Sequence, residues 1–444
     1  MLGEYRISGR RAAEISSSIE RAVGEGELRP GEPLPPIREL AEGLEVNPNT
    51  VAAAYRILRE RGVIETSGRR GSRVRPKPAT TARDLMRVEV PEGVRDVSEG
   101  NPDPALLPAL AGAFAAAAGR GDREPVLYGH APVEPELARL ARAGLDADGV
   151  PEGPVVVASG SLDAIERVLA AHLRPGDAVA VEDPGWGSLL DLVPALGLRT
   201  VPVGVDDEGP LPDDVRTALA DGAHALIVTD RAQNPTGAAL SEARARALRS
   251  VLADRPETLL IEDDHGHHIV DLPLHPLAGT TRNWAFVRSA AKAYGPDLRL
   301  AVLTGDPVTL DRVRGRQRLG PGWVSLIVQR AVARLWSQGA VDPAAVAERY
   351  GRRRDALIGA LARRGTAAHG RSGMNVWVPV PDETGAVARL LHAGWAVAPG
   401  ARFRMNAPPG VRVTVSTLTD HEIEPLADAI AAAVGRAGPS RTYV

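Results

Sequence analysis

Between residues 154 and 290 the chain keeps repeating one local pattern, and that pattern restricts the fold more than any other feature. The runs PVVVAS, DAVAVED, HALIVTD, TLLIEDD and WAFVRS are short, apolar and followed by turn residues, with Ala/Leu/Arg-rich helical stretches between them. A strand with one wet face alternates polar and apolar residues. Unbroken apolar runs belong to strands covered by helices on both faces, as in an α/β sheet. Ligand sites of such sheets form at the carboxyl ends of the strands. Toward the C-terminus the character changes to RSGMNVWVPV, WAVAPG and VRVTVS between helices, which predicts a smaller α+β lobe. The expected layout is a domain over residues 98–444, with a large lobe at about 120–330 and a small lobe at about 335–440. A mixed segment, 77–97, reads as a linker, and residues 1–76 form a separate module.

That module has its own logic. Ala12, Ile15, Ile19 and Val23 recur at helical spacing within residues 8–24, so an amphipathic helix is expected there. LRPGEPLPP is a turn-rich break, and Pro36 opens a short helix, IRELAEGL. Asn47 then caps a third helix with Pro48 in its first position, burying Val51, Ala54, Tyr55 and Leu58 and ending at Gly62. Two short strands follow around a Gly-Arg-Arg-Gly tip. Three helices and a hairpin make a winged helix-turn-helix. Its third helix would present Asn47, Asn49 and Thr50 to a DNA groove, Arg38 would reach the backbone, and Arg69 and Arg70 form the wing tip.

Charge supports the division. Residues 1–78 hold 14 basic and 11 acidic side chains, a net of +3, so against a total of −3 the rest of the chain carries −6. A basic module on an acidic body points to a polyanion partner for the module alone. The chain has no cysteine, which excludes disulfides, thiolate metal sites and a cysteine nucleophile. Its longest weakly polar stretch, residues 106–119, is too short for a membrane helix, and the N-terminus lacks an apolar h-region, so a cytoplasmic location and no membrane partner are expected.

Of the 53 basic residues outside histidine, only Lys77 and Lys292 are lysine. Arginine cannot form a Schiff base, so each lysine is a candidate for covalent amine chemistry. Lys77 lies beside prolines in the linker. Lys292 follows the strand-like WAFVRS, with Ser289 before it and Arg299 after it, both suited to a phosphate. Asp263 ends TLLIED, Asn234 lies in NPTG, and Ser159-Gly160-Ser161 precedes a helix whose N-terminal amides can cradle a phosphate. Trp186, in EDPGWGS, can stack on a ring. These groups meet the needs of a pyridoxal 5'-phosphate site: a lysine for the Schiff base, a carboxylate for the pyridine nitrogen, a stacking ring, phosphate donors and an arginine for a carboxylate. Arg412, between valines in VRVTVS, projects opposite Val411 and Val413.

The segment LRPGEPLPPIRELAEGLEVNPNTVAAAYRILRERGVIETSGRRGSRV resembles the DNA-binding domain of GntR-family regulators. Pro48 stands where many relatives carry a polar or basic residue. Over roughly residues 98–440, YGH, SGS, EDPGW, NPTG, IEDD, SxxK with Arg299 and VRVTVS stand in the order of fold-type I aminotransferases. Together the halves resemble MocR-like regulators. The resemblance implies that Lys292 is the Schiff-base lysine, Asp263 the partner of the pyridine nitrogen, Asn234 that of the ring hydroxyl and Trp186 the stacking residue. It implies phosphate contacts from Gly160, Ser161, Ser289 and Arg299, a substrate-carboxylate grip by Arg412, and a reach by Tyr128 to the cofactor phosphate of the partner subunit in a head-to-tail homodimer. The family pattern Glu-Asp-Asp-Tyr is here Glu262-Asp263-Asp264-His265, so the phenol at the ring hydroxyl is either replaced by an imidazole or lost. Ala232-Gln233-Asn234-Pro235 is closer to working aminotransferases than the His-Gln-Phe-Pro of many such regulators. The expected function is a transcription regulator that binds operator DNA and senses an amine, an amino acid or pyridoxal phosphate itself through Lys292. A catalytically active aminotransferase with an accessory DNA-binding module is the alternative. The cluster Asp263, Asp264, His265, His267 and His268 has the residue types of a metal site, but no third ligand segment is evident, and no metal is expected.

Overall fold

The computed structural model describes residues 7–25, 27–29, 31–60, 63–66, 71–74, 83 and 86–434. The chain divides into two compact units, one built on residues 1–82 with 173–177 and 193–199, the other on 83–172, 178–192 and 200–444.

In the first unit, helix α1 is Ala12–Glu25, α2 Ile37–Gly43 and α3 Pro48–Glu60, followed by strands β1 (Ile64–Thr66) and β2 (Ser72–Val74). The first helix starts later than its apolar spacing predicts, because the Glu14 carboxylate turns back to accept the Arg10 and Arg11 amides at 2.9 and 3.3 Å. Asn47 caps α3 as expected, its Oδ1 accepting the Asn49 amide at 2.8 Å. Ile15, Ile19, Val51, Ala54 and Leu58 are fully buried and form the core. Tyr55 joins them and donates its hydroxyl to the Pro35 carbonyl at 2.8 Å, so its polar end is satisfied inside. The stretch read as a break is partly a third wing segment: Leu34 donates to the Ser72 carbonyl, Val74 to that of Glu32, and Gly31 to that of Val74.

The second unit opens with β3 (Arg95–Asp96), at the end of the segment read as a linker. It pairs in parallel with β13 (Trp395–Ala396), so the small lobe recruits these residues across the length of the domain. The main sheet contains β4 (Val156–Ala158), β5 (Ala178–Asp183), β6 (Arg199–Asp206), β7 (Gly209–Pro210), β8 (Ala223–Thr229), β9 (Leu259–Asp264), β10 (Asn283–Ser289) and β11 (Ala301–Gly305), in the order β4-β11-β10-β9-β8-β5-β6-β7. All five apolar runs singled out in the sequence are strands. From β10 through β9 and β8 to β5 the pairing is parallel, while β11 runs against both β10 and β4. Every residue of β4, β5, β9 and β11 is buried, as strands covered on both faces require.

In the small lobe, β12 (Asn375–Pro379), β14 (Ala398–Pro399) and β15 (Gly410–Thr414) form an antiparallel sheet, with β15 central. Val376, Val378, Val411 and Val413 bury against helices Pro343–Arg363, Glu383–His392 and Asp420–Val434. Among the described residues no helix is long and apolar enough to cross a membrane.

Candidate functional site

Sheet register assembles the site. Ser289, Ala301 and Ala158 are level on three adjacent strands, so the residues just beyond them, Ser159–Ser161, Lys292 and Arg299, meet at one edge. At this edge lies a cavity of about 280 Å3. Lys292, Asp263, Asn234, Trp186, Gly160, Ser161, Ser289, Arg299 and His265 all line it. Gly100, Ser188, Ala232, Ile269, Met374 and Asn375 line it too. Sequence reasoning does not assign these six to the site, because they come from distant segments without a spacing signal. Tyr128 does not line this cavity; it is 94% exposed and meets Trp323 edge-on at 5.9 Å.

Lys292 is half-buried at the start of a four-residue helix and donates from Nζ to the Gly100 carbonyl at 2.6 Å. Burial, reinforced by the charge of Arg412, pushes its pKa down to about 8, although Asp263 and Glu99 oppose the shift. With a pKa of about 8, roughly a tenth of the amine is neutral at pH 7, as an amine nucleophile requires.

Asp263 is 3% exposed. Its Oδ2 faces His265 Nδ1 at 3.1 Å, while His265 Nε2 faces the Ala232 carbonyl at 2.8 Å. Burial opposes charge on this imidazole, but the hydrogen bond and charge of Asp263 and the Ala232 carbonyl outweigh it and raise its pKa. A ring between two acceptors is satisfied at both nitrogens only as an imidazolium. Thus the imidazole expected at a ring hydroxyl has both nitrogens committed elsewhere: the strand ends at Asp264, and the following turn swings the ring back onto Asp263.

The phosphate candidates converge. Gly160 has φ +98°, and a Cβ there would lie 2.9 Å from Arg299 Nη2, so this glycine makes room for the guanidinium. Arg299, itself left-handed at φ 43°, donates to the Ser159 carbonyl at 3.2 Å. Ser161 starts a twelve-residue helix directed at the cavity wall, where its dipole favours an anion. Two buried atoms here have no partner among the described residues, Asp263 Oδ1 and Ser161 Oγ. Buried polar atoms are rarely left so, and a pyridinium N–H and a phosphate oxygen are groups that would complete them. The residues present fit pyridoxal phosphate.

Arg412 projects as its strand alternation predicts, away from the valine core. It is 3% exposed, donates to Asn234 Oδ1 at 2.9 Å and to the Ser98 carbonyl, and lies over the Phe403 ring at 4.6 Å.

Behind the site the sheet carries a charge network that no local sequence signal announces. Asp264 accepts from Arg231 at 2.7 Å and from Arg288 at 3.1 Å, and Arg288 also bonds Asp148. Burial alone would raise the Asp264 pKa; the two guanidiniums overcome it and hold the carboxyl well below the usual range. Burial pushes Glu182 up to about 7 despite hydrogen bonds from Thr229 and Gln233. Asp148 does approach Asp264 and His267, a grouping of ligand types hidden in the sequence, but two arginines already engage Asp264. His265 and His267 do not share a strand face, since β9 stops at Asp264 and His267 stacks on His268 at 3.7 Å.

In the first unit, Arg38, Asn47 and Asn49 are exposed and Thr50 is half-buried at the start of α3. Arg69 and Arg70 lie outside the described residues.

Comparison with known proteins agrees with both halves. Residues 11–74 match the family "Bacterial regulatory proteins, gntR family", and residues 93–430 match "Aminotransferase class I and II". The chain is 42% identical over 436 residues to the vitamin B6 salvage pathway transcriptional repressor PtsJ of Salmonella typhimurium, covering 97% of this chain and 100% of that one. It is 25% identical over 359 residues to the probable rhizopine catabolism regulatory protein MocR of Rhizobium meliloti, covering 73% and 71% of the two chains. Among solved structures, a Thermus thermophilus aspartate aminotransferase variant is similar at TM-score 0.68 and 25% identity over 80% of this chain and 99% of that one. With a GntR DNA-binding domain followed by an aminotransferase domain, and a likeness running the full length of a relative, the chain belongs to the MocR-like transcription regulators of the GntR family.

Proposed function

We propose that this regulator holds pyridoxal 5'-phosphate at Lys292 and that the molecule it senses is this cofactor itself, in control of vitamin B6 metabolism. The observation that carries the reading is one cavity in which Lys292, the unpartnered Asp263 Oδ1 and the unpartnered Ser161 Oγ come together. The relatives named as a vitamin B6 salvage repressor and a pyridoxine biosynthesis regulator support the metabolic assignment. When bound, the cofactor supplies an aldehyde that condenses with an amine and a pyridinium ring that withdraws electrons. The chain's part is to present a partly neutral Lys292 amine, to aim Asp263 at the ring nitrogen with His265 fixing its other oxygen, to cover the ring with Trp186, and to hold the phosphate with Gly160, Ser161, Ser289 and Arg299.

Of the expected effectors, pyridoxal phosphate is favoured over a second amine or amino acid by the state of Arg412. Its guanidinium is already bonded to Asn234 and Ser98 and stacked on Phe403, whereas a carboxylate grip would require it to face the ligand. The active form is proposed to be a head-to-tail homodimer, with the exposed Tyr128 reaching the partner subunit's site. Its location is proposed to be cytoplasmic, where its DNA partner lies. The aminotransferase reading retains one specific support, the joint presence of Lys292 and Asp263 in the cavity. The test uses purified protein and a duplex selected by it from a random pool. Adding pyridoxal phosphate should change operator affinity tenfold or more, and amino donors with a keto acid should give no turnover. Cofactor binding without change in DNA affinity would overturn the sensing claim.

A further inference from the structure

The sequence reads Arg83 as part of the linker, yet its amide and guanidinium bond to both lobes. Its backbone amide donates to Asp191 Oδ2 at 2.6 Å, and its Nε lies 3.3 Å from the other oxygen of the same carboxylate. Its Nη1 donates to two carbonyls, Ala401 at 3.0 Å and Arg404 at 2.9 Å. Asp191 belongs to helix Gly187–Ala195, which begins directly after Trp186; Ala401 and Arg404 bracket Phe403, whose ring lies under Arg412. One guanidinium thus joins the large-lobe segment carrying the ring-stacking Trp186 to the small-lobe segment carrying Phe403.

The two segments are laced together elsewhere as well. Gly185 donates to the Phe403 carbonyl at 2.7 Å, and Asp183 accepts the Met405, Asn406 and Ala407 amides at 2.8, 2.7 and 2.9 Å. A Cβ on Gly187 would lie 2.5 Å from the Arg402 carbonyl, so that position is glycine because the backbones meet there. Those contacts are formed by the two walls themselves. Arg83 adds a group from the chain that follows the DNA-binding domain, and its half-buried position shields its bonds from water.

We propose that Arg83 is a positioning residue that clamps the linker to both walls of the effector cavity, so that a change of wall spacing on ligand binding is passed to the DNA-binding domain through the linker. The consequence for DNA rests on pyridoxal phosphate being the sensed ligand; the clamp does not. Lysine cannot replace arginine here, because a single ammonium cannot reach a carboxylate and two carbonyls in one plane.

The test compares the full-length wild type with Arg83→Ala, Arg83→Lys and Asp191→Asn, in two readings. In the first, without ligand, amide exchange in residues 184–191 and 401–407 should be at least tenfold faster in Arg83→Ala and in Arg83→Lys; unchanged exchange would remove the clamp. In the second, pyridoxal phosphate is titrated against the selected duplex. Arg83→Ala should bind the cofactor within about threefold of wild type while its operator affinity changes less than twofold on loading; Asp191→Asn should behave alike. A variant as responsive as wild type would overturn the coupling claim. Faster exchange in the variants, together with a wild type that does not respond to the cofactor, would refute the sensing reading and leave the clamp standing on the first result. Equal melting temperatures keep simple misfolding out of both readings.

Discussion

The two units of this protein solve opposite problems. The first keeps a mostly apolar interior, from Ile15 to Leu58, and carries its DNA candidates outside, with Arg38, Asn47 and Asn49 exposed. The second buries its candidate groups: Asp263 and Arg412 are each 3% exposed, and Arg288 and Asp264 sit behind them at 2% and 0%. A groove binder must leave its contacts solvated until DNA arrives, and phosphate contacts act by charge over some distance. A cofactor pocket must desolvate its groups in advance, and every buried charge then needs a partner. The lesson is that function and stability are separable in the first unit and entangled in the second.

The sharpest way to break this contrast is to remove a buried partner. Arg288→Ala should destabilise the second unit by about 3–5 kcal/mol, because it leaves Asp264 and Asp148 short of a counter-charge. Calorimetry checks this, and a loss under 1 kcal/mol would mean that the network is dispensable. Next comes Asp263→Ala, expected to weaken pyridoxal phosphate binding by about 100-fold, roughly the worth of one charged hydrogen bond and the ring charge it supports. Spectroscopic titration reads it, and the same protein should bind DNA in the absence of cofactor as wild type does.

A third expectation concerns pH. Lys292 is protonated and unreactive below its pKa of about 8 and neutral above it. The rate of cofactor capture should therefore rise about tenfold per pH unit up to about 8 and then level off, as stopped-flow absorbance would show. A flat profile from pH 6 to 9 would contradict a depressed lysine. The smallest effect belongs to the exposed unit. Arg38→Ala should leave stability within about 0.5 kcal/mol of wild type. It should also flatten the slope of log operator affinity against log salt by about one.

The same contrast governs what could be read from sequence. Helical spacing and the Asn47 cap were legible in the first unit because local rules suffice for them. Lys292 was legible through the scarcity of lysine, and Asp263, Trp186 and Asn234 through strand ends followed by turns. What stayed hidden was long-range. Asp148 and Arg288 are 140 residues apart, Lys292 and Gly100 192, and nothing local in either pair announces the pairing. His265 was legible as a departure from the family tyrosine, but its turn back onto Asp263 depends on where β9 ends. Arg83 and β3 were hidden because a segment without periodicity reads as linker even when distant chain captures it.

Lys292 is proposed as the covalent seat of the cofactor. Borohydride reduction of the wild-type protein loaded with pyridoxal phosphate, followed by peptide mapping, tests this directly. The account predicts one pyridoxyl group per chain, on the peptide containing Lys292, and none in Lys292→Ala, which should still bind DNA. A label on Lys77, or no label on loaded wild type, would contradict it.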